Sequence, residues 1–152
     1  MANKKKMDLE TLIGYSFNEP ELMERAVAHH GTMNDARATN KAKDPGLAVL
    51  GQAVICCTVV NHFYSLGMSE EQINGERKAR VCRENYIRVA EAIGLGEYVM
   101  PEARKRSASD LRSDKLGERF EEIMGAVYLD DINTGGTGIG ACWEVLKKVN
   151  MI

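Results

Sequence analysis

Two glutamates three residues apart, Glu118 and Glu121, are the side chains in this sequence best placed to do chemistry. They lie within Leu116–Asp130, whose apolar residues recur at helical spacing, and residues three apart on a helix are surface neighbours. Two carboxylates held that close repel each other unless a cation or a shared proton relieves them. The pair could bind Mg²⁺, a hard ion suited to carboxylate oxygens and water. Acidic pairs on exposed helices are also routine, and Arg119 or Arg80 could neutralise this one.

The glutamate pair belongs to a chain that is predicted to be almost entirely helical. Apolar residues recur with the period of an amphipathic helix in several segments. The predicted helices are Asp8–Ile13, a helix capped by Asn18 with Pro20 in its first turn, Leu47–Tyr64, a segment starting at a Ser69 capping box, Lys78–Ile93, Leu116–Asp130 and Ala141–Val149. The polar or glycine-rich segments between them are predicted loops or connectors, namely Gly31–Asp44, Pro101–Asp114 and Asn133–Gly140. The expected fold class is all-α, with one domain over residues 1–152.

The Leu47–Tyr64 segment is apolar on nearly every face, which predicts a central helix that is buried on all sides. Neighbouring helices or a second subunit would have to cover it. The β-branched run from Val54 to Val60 is also compatible with a buried strand, but the length of the segment favours a helix. Pro45–Ser69 has no charged residue and is long enough to cross a membrane, yet polar and glycine positions interrupt it. A core helix, and no membrane partner, is therefore expected.

The net charge of −2 excludes a protein that is basic overall, so any contact with nucleic acid must come from local patches. Two clusters of basic side chains are candidates. They are Arg77, Lys78, Arg80 and Arg83, and Arg104, Lys105 and Arg106 with Arg112 and Lys115 following. Either cluster could bind phosphates, which supply affinity independent of sequence. The alternative is a solvated helix face and a solvated loop.

The four cysteines form no C-x-x-C pair, and no zinc-ligand spacing is present. They are Cys56, Cys57, Cys82 and Cys142. This pattern is typical of reduced thiols packed as small apolar groups in a cytoplasmic protein. The lysines at positions 4–6 are not followed by an apolar stretch, so no secretory signal is expected.

Several short motifs occur in the order that is characteristic of one protein family. They are Gly14-Tyr-Ser-Phe-Asn18 followed by Leu22, Ala28-His-His30, Leu47-x-x-Leu-Gly51, the acids Glu70 and Glu71, Arg80–Asn85, Gly94-Leu-Gly-Glu-Tyr98 and Leu116–Asp130. Together these motifs resemble the catalytic domain of ribonuclease III, over most of the chain. The resemblance implies an all-helical ribonuclease III-like domain that forms a homodimer, with double-stranded or structured RNA crossing a shared cleft.

The resemblance also implies site residues, and this sequence matches them only in part. Glu121 and Glu118 correspond to catalytic, metal-binding acids, and Glu71 or Glu70 corresponds to a further one. Ala48 and Gln52 stand where the family has carboxylates. Another family glutamate is replaced by Pro45. The metal set implied is thus Glu118, Glu121, Glu71 and Gln52, which would hold Mg²⁺ or Mn²⁺ weakly.

Three functions are compatible with this mixed pattern. The first is a domain that binds structured RNA with impaired or lost cleavage. The second is an active Mg²⁺-dependent endoribonuclease, specific for double strands, in RNA processing. The third is a non-catalytic partner subunit of an RNA-processing or ribonucleoprotein assembly. Asp35 or Asp44 could replace the missing acids, and no appended double-stranded-RNA-binding domain is expected.

Overall fold

The computed structural model describes residues 9–27, 44–99 and 109–152. Within these ranges the chain forms helices and no strand, which confirms the predicted all-α fold. Residues 9–13 are helical and end at Gly14, whose φ of 70° is readily adopted by glycine. The labelled helices are α1 (Pro20–Ala26), α2 (Pro45–Ser65), α3 (Glu70–Arg80), α4 (Arg83–Ala92), α5 (Gly96–Val99), α6 (Ser109–Asn133) and α7 (Ile139–Lys148).

The core is built around two antiparallel helices, α2 and α6, which contact each other more extensively than any other described pair. Glycines make this close approach possible. A Cβ on Gly51 would overlap the carbonyl oxygen of Glu121, and a Cβ on Gly125 would overlap that of Leu47. Helices α1, α4 and α7 pack around this pair and cover the apolar side of α6. The α2–α6 crossing is thus the element that positions the candidate site.

The prediction that neighbouring helices bury the central helix on every side is wrong, and the alternative that a second subunit completes its cover stays a prediction. One line of α2, which we call the α2 surface stripe, faces solvent at roughly four-residue spacing; it consists of Val49, Ala53, Cys57, Asn61 and Tyr64. Val49 is 66% exposed and Tyr64 is 73% exposed, whereas Ile55 and Val59 on the opposite side are fully buried. Residues 46–65 are long and apolar enough to cross a membrane, with mean hydropathy 1.6. The helix nevertheless packs into the domain through its buried side, as a core helix does.

The capping box at Ser69 is confirmed, but the single helix predicted over Lys78–Ile93 is wrong. Ser69 Oγ accepts a hydrogen bond from the Gln72 amide at 3.2 Å, and Gln72 Oε1 accepts one from the Ser69 amide at 2.9 Å. Helix α3 ends at Arg80, because Cys82 adopts an extended backbone before α4 begins. The Asn85 side chain donates to the Arg80 carbonyl at 2.9 Å, which satisfies an acceptor left open by this break.

The prediction that Asn18 caps the next helix is also wrong. Glu19 occupies the cap position of α1, without a side-chain hydrogen bond. Asn18 instead donates its backbone amide and its side-chain amide to Asp130, which lies at the far end of α6. The Asp130 carboxylate therefore accepts the hydrogen bonds of the backbone amides at the start of α1, although it lies 112 residues from Asn18 along the chain.

The predicted connectors are only partly tested. Residues 109–114 are the first turns of α6, so the predicted connector Pro101–Asp114 is wrong over that part, and residues 101–108 lie outside the described ranges. The predicted loop Gly31–Asp44 also lies outside them except for its last residue. The predicted loop Asn133–Gly140 is confirmed between the end of α6 and the start of α7 at Ile139, within two residues at its C-terminal end.

Candidate functional site

The α2–α6 crossing brings one retained glutamate against the two positions that lack carboxylates. Gly51 lies against the backbone of Glu121, and Gln52 follows it on α2. Ala48 lies one turn before Gln52, so the two share a face of the helix. Glu121 is only 3% exposed, whereas Gln52 is exposed and Ala48 is nearly buried. The sequence-predicted residues Glu121, Gln52 and Ala48 are therefore gathered at one place.

The Glu121 carboxyl is destabilised in its charged form by its surroundings. Burial raises its pKa, and the Glu118 charge raises it further. A hydrogen bond from the Gln52 amide and the positive charge of Arg83 act in the opposite direction without cancelling the effect of burial. Among the described residues, Glu121 Oε2 is a buried oxygen with no hydrogen-bond partner. The carboxyl therefore lies in a dry position, and of its surroundings only the Gln52 amide and the Arg83 charge favour its ionised form.

Glu118 is half-buried and pairs with a lysine rather than with the arginines that the sequence suggested. Lys115 Nζ lies 3.4 Å from Glu118 Oε2 across one turn of α6. Arg80, one of the two arginines that could have neutralised the glutamate pair, instead donates its Nε to Glu76 at 2.7 Å. Arg119 pairs with Glu122 instead. The charge on Glu118 is thus balanced locally by a lysine on the same helix.

A buried ion pair between Arg119 and Glu122, which was not predicted from the sequence, adjoins the site. Arg119 Nη1 donates to both carboxylate oxygens of Glu122 at 3.0 Å, and both residues are 1% exposed. Burial raises the pKa of Glu122 to about 7, although Arg119 opposes this. A sequence signal did exist for Arg119, which lies three positions after Leu116 and four before Ile123, both apolar residues of α6.

The remaining acids do not gather around Glu121. Glu70 and Glu71 are exposed in the first turn of α3. Asp44 lies 3.9 Å from the Arg25 guanidinium, and Asp35 is outside the described ranges. Over residues 9–27, 44–99 and 109–152, no three His, Cys, Asp or Glu side chains form a group that could hold a metal ion.

The side chains beside Glu121 do not supply the ligands that a divalent cation needs. Such an ion is held by several carboxylate and carbonyl oxygens, but Ala48 offers no ligand and Gln52 offers only a neutral amide. The positive charge of Arg83, which acts on the Glu121 carboxyl, would also repel a cation bound there. What the arrangement can do is hold one carboxyl in a fixed, partly desolvated position.

The structure describes the first basic cluster but not the second. Arg77 and Lys78 lie in the last turn of α3, and Lys78 is exposed. Arg80 is engaged inside the subunit, because it pairs with Glu76, donates to the Met151 carbonyl and lies over the Phe63 ring. The second cluster, Arg104, Lys105 and Arg106, lies outside the described residues.

Comparisons with known proteins agree on one family. A family model described as ribonuclease-III-like matches residues 19–136. Ribonuclease 3 of Listeria welshimeri is 30% identical over 127 residues, which are 82% of this chain and 56% of that relative. Ribonuclease 3 of Listeria innocua is 29% identical over 145 residues, which are 93% of this chain and 61% of that relative. The chain thus spans little more than half the length of these curated relatives.

Solved structures with the same fold come from the nuclease domain of ribonuclease III of Campylobacter jejuni. Two of them match with a TM-score of 0.72 each, at 20% and 21% sequence identity. The matches cover 94% and 95% of this chain, and 94% and 92% of those chains. The first is described as showing structural flexibility in a region involved in dimer formation. These likenesses establish the all-helical architecture.

Proposed function

Since the chain belongs to the ribonuclease-III-like family, we propose that it binds double-stranded or structured RNA as a homodimer and that its RNA cleavage is impaired or lost. The observation that carries the proposal is the position of Ala48 and Gln52 beside the retained Glu121. The family generally depends on a divalent metal. A metal ion promotes phosphodiester hydrolysis by generating hydroxide and by stabilising the leaving oxygen. A site with fewer anionic ligands supports both roles less well.

The proposed RNA contact rests on the exposed basic end of α3. Lys78 is exposed and Arg77 is partly exposed on the same turn, so both can reach phosphates. Arg80 is the weaker candidate, because its guanidinium is already committed inside the subunit. Arg104, Lys105 and Arg106 are proposed as a second contact. Duplex RNA is recognised mainly by shape and through its phosphates and 2′-hydroxyls, so we expect little sequence preference.

The proposed homodimer rests on the α2 surface stripe. Its members Val49 and Tyr64 are large apolar side chains that are two-thirds or more exposed on the longest apolar helix of the core. Exposed apolar surface of this kind marks an interaction site. A second copy of the same stripe, related by a two-fold axis, would cover it with a self-complementary surface.

The four free thiols agree with the proposed cytoplasmic location.

The decisive experiment compares the wild-type protein with Glu121→Gln on labelled duplex RNA, with and without Mg²⁺ or Mn²⁺. We expect no cleavage by either protein, together with an RNA complex that weakens steeply as salt rises. Cleavage that requires metal and disappears in Glu121→Gln would overturn the proposed loss of activity. Absence of any salt-sensitive RNA complex would overturn the proposed binding.

An active endoribonuclease is the second candidate. It is favoured by the retention of Glu118 and Glu121 on one face of α6 and by relatives that are named ribonuclease 3. The same experiment separates the two functions, because only this candidate predicts metal-dependent cutting. A third candidate, a non-catalytic subunit paired with an active homologue, predicts that the purified chain alone remains monomeric.

A further inference from the structure

The indole ring of Trp143 joins the last helix of the domain to the central one. Trp143 Nε1, on α7, donates a hydrogen bond to His62 Nδ1, on α2, at 3.0 Å. The two rings also contact each other, with 6.2 Å between their centroids. Both side chains are half-buried, so the bond is partly shielded from water. Within the described ranges, it is the only side-chain hydrogen bond between these two helices.

This hydrogen bond requires His62 to be neutral. An indole N–H can only donate, so Nδ1 of the imidazole must accept. A neutral imidazole accepts at Nδ1 when its proton is on Nε2, whereas a protonated imidazole carries hydrogens on both nitrogens and has no acceptor left. Histidine is the side chain that ordinarily changes charge between about pH 5 and 8. Protonation of His62 therefore removes the bond to Trp143.

Two cationic side chains lie over the rings that contact His62. Lys147 Nζ lies 4.8 Å from the centroid of the Trp143 ring. On the other side, the Phe63 ring meets the imidazole edge-on, with 4.8 Å between centroids. The Arg80 guanidinium carbon lies 5.1 Å from the centroid of that phenyl ring. A protonated imidazole would thus add a third positive charge to this cluster, and like charges repel.

The helices packed against α2 carry three carboxyl groups that bear on this contact. On α3, Glu76 pairs with Arg80 at 2.7 Å. On α7, Glu144 follows Trp143 in the sequence and is exposed. On α6, burial raises the pKa of Glu122 to about 7. Because Glu122 ionises in the range in which a histidine titrates, a test must separate the two groups.

We propose that His62 and Trp143 form a proton-sensitive contact, which fastens α7 to α2 while His62 is neutral and loosens it when His62 is protonated. Helix α7 stays in the domain in both states, because Val145 and Leu146 are fully buried. Loosening also affects the segment after α7, where Met151 is fully buried and its carbonyl accepts a hydrogen bond from Arg80. The inference concerns packing within the subunit and does not rest on RNA binding or on a metal ion.

The experiment is a titration of ¹⁵N-labelled protein from about pH 8 to about pH 5, followed in ¹H–¹⁵N spectra. Trp143 is the only tryptophan in the sequence, so a single indole N–H signal reports the hydrogen bond. The backbone amide signals of α7 report its packing. His62→Asn keeps an acceptor oxygen near the position of Nδ1 but does not titrate. The matched control is His30→Asn, the same substitution at another of the three histidines.

We expect the indole signal and the α7 amide signals to shift in one transition in the wild type and in His30→Asn, and this transition to be lost in His62→Asn. A wild-type indole signal that stays fixed over the titration would overturn the proposal, whether or not the variants fold. A transition that persists in His62→Asn would also overturn it, because another group, such as Glu122, would then be the cause. Amide signals of α7 that stay fixed while the indole signal shifts would overturn the proposed effect on packing.

Discussion

Gly51 on α2 lies directly against the carbonyl oxygen of Glu121 on α6, with no space for a side chain between the two backbones. This contact sets the distance between the two central helices, and therefore also the approach of Gln52 to the Glu121 carboxyl. Small residues at a helix crossing allow the axes to come closer than larger side chains would permit. The fold and the candidate site thus depend on the same glycine.

Replacing Gly51 by alanine should destabilise the domain, although alanine is the better helix former. The new methyl group would overlap the Glu121 carbonyl, so the helices must move apart. Overpacking of this kind costs about 1–3 kcal/mol, which outweighs the helix-propensity gain of about 1 kcal/mol. Urea unfolding followed by circular dichroism measures the difference.

Gly75→Ala is the matched control for this prediction. Gly75 lies inside the exposed helix α3, where a Cβ would meet no atom within 4 Å. The same substitution should there stabilise the protein by up to about 1 kcal/mol, from helix propensity alone. Equal effects of the two substitutions would contradict the role assigned to the Gly51 contact.

Asp130→Asn should destabilise the domain more strongly at neutral pH than at acid pH. The Asp130 carboxylate accepts hydrogen bonds from the Tyr15 hydroxyl at 2.6 Å and from the Glu19 amide at 2.7 Å, besides those from Asn18. A hydrogen bond to a charged group contributes about 1.5–3 kcal/mol. Asparagine keeps one acceptor oxygen but loses the charge and the second acceptor, so we expect a net loss of roughly 2–3 kcal/mol at neutral pH. Glu24→Gln, which changes an exposed acid on α1, should change stability by no more than about 0.5 kcal/mol.

The direction of the pKa shift of Asp130 determines how this contribution depends on pH. Burial by itself raises the pKa of Asp130, but the hydrogen bonds from Asn18, Tyr15 and Glu19 outweigh it and lower the pKa below its ordinary value of 3.8. A lowered folded-state pKa gives stability that is present above 3.8 and is lost as the pH falls through the folded value. The difference in the free energy of unfolding between wild type and Asp130→Asn should therefore become smaller below pH 3.8. A difference that stays constant with pH would contradict the prediction.

The sequence predicted those parts of the fold that are determined by nearby residues. The Ser69–Gln72 capping box and the cores of α2 and α6 are local patterns, and the structure confirms them. The role of Asn18 was missed because its partner Asp130 is 112 residues away, a distance that no periodicity reveals. The break at Cys82 was missed because the apolar spacing continues across it.

The membership of the candidate site stays a prediction, and its geometry was not predictable from the sequence. The motifs indicated Glu121 and Gln52 as members of one site, and α2 crosses α6 at Gly51, the residue before Gln52, and Glu121. The approach of Arg83 and the burial of Arg119 with Glu122 depend on how three helices pack, which the spacing of charged residues along one helix does not specify. The α2 surface stripe was missed for a similar reason, since a helix that is apolar on all faces gives no indication of which face remains uncovered.

Lys78→Gln should weaken RNA binding and reduce its dependence on salt. Each phosphate contact that is lost lowers the slope of the logarithm of affinity against the logarithm of salt concentration by about one. Lys148→Gln is the matched control, because Lys148 is also exposed but lies on α7, near Gly14. Fluorescence anisotropy of a labelled RNA duplex at several salt concentrations measures both slopes. Identical slopes for the two variants would exclude the end of α3 as a phosphate contact.

Ala53→Asp should dissociate the proposed homodimer without unfolding the subunit. Ala53 lies in the middle of the α2 surface stripe, so the new charge would be buried only when two copies associate. Burying an unpaired charge costs several kcal/mol, and a cost of about 3 kcal/mol raises the dissociation constant roughly a hundredfold. Ala79→Asp places the same charge on the exposed face of α3 and should leave the dimer intact. Sedimentation velocity distinguishes the two states, and a dimer that survives Ala53→Asp unchanged would show that another surface joins the subunits.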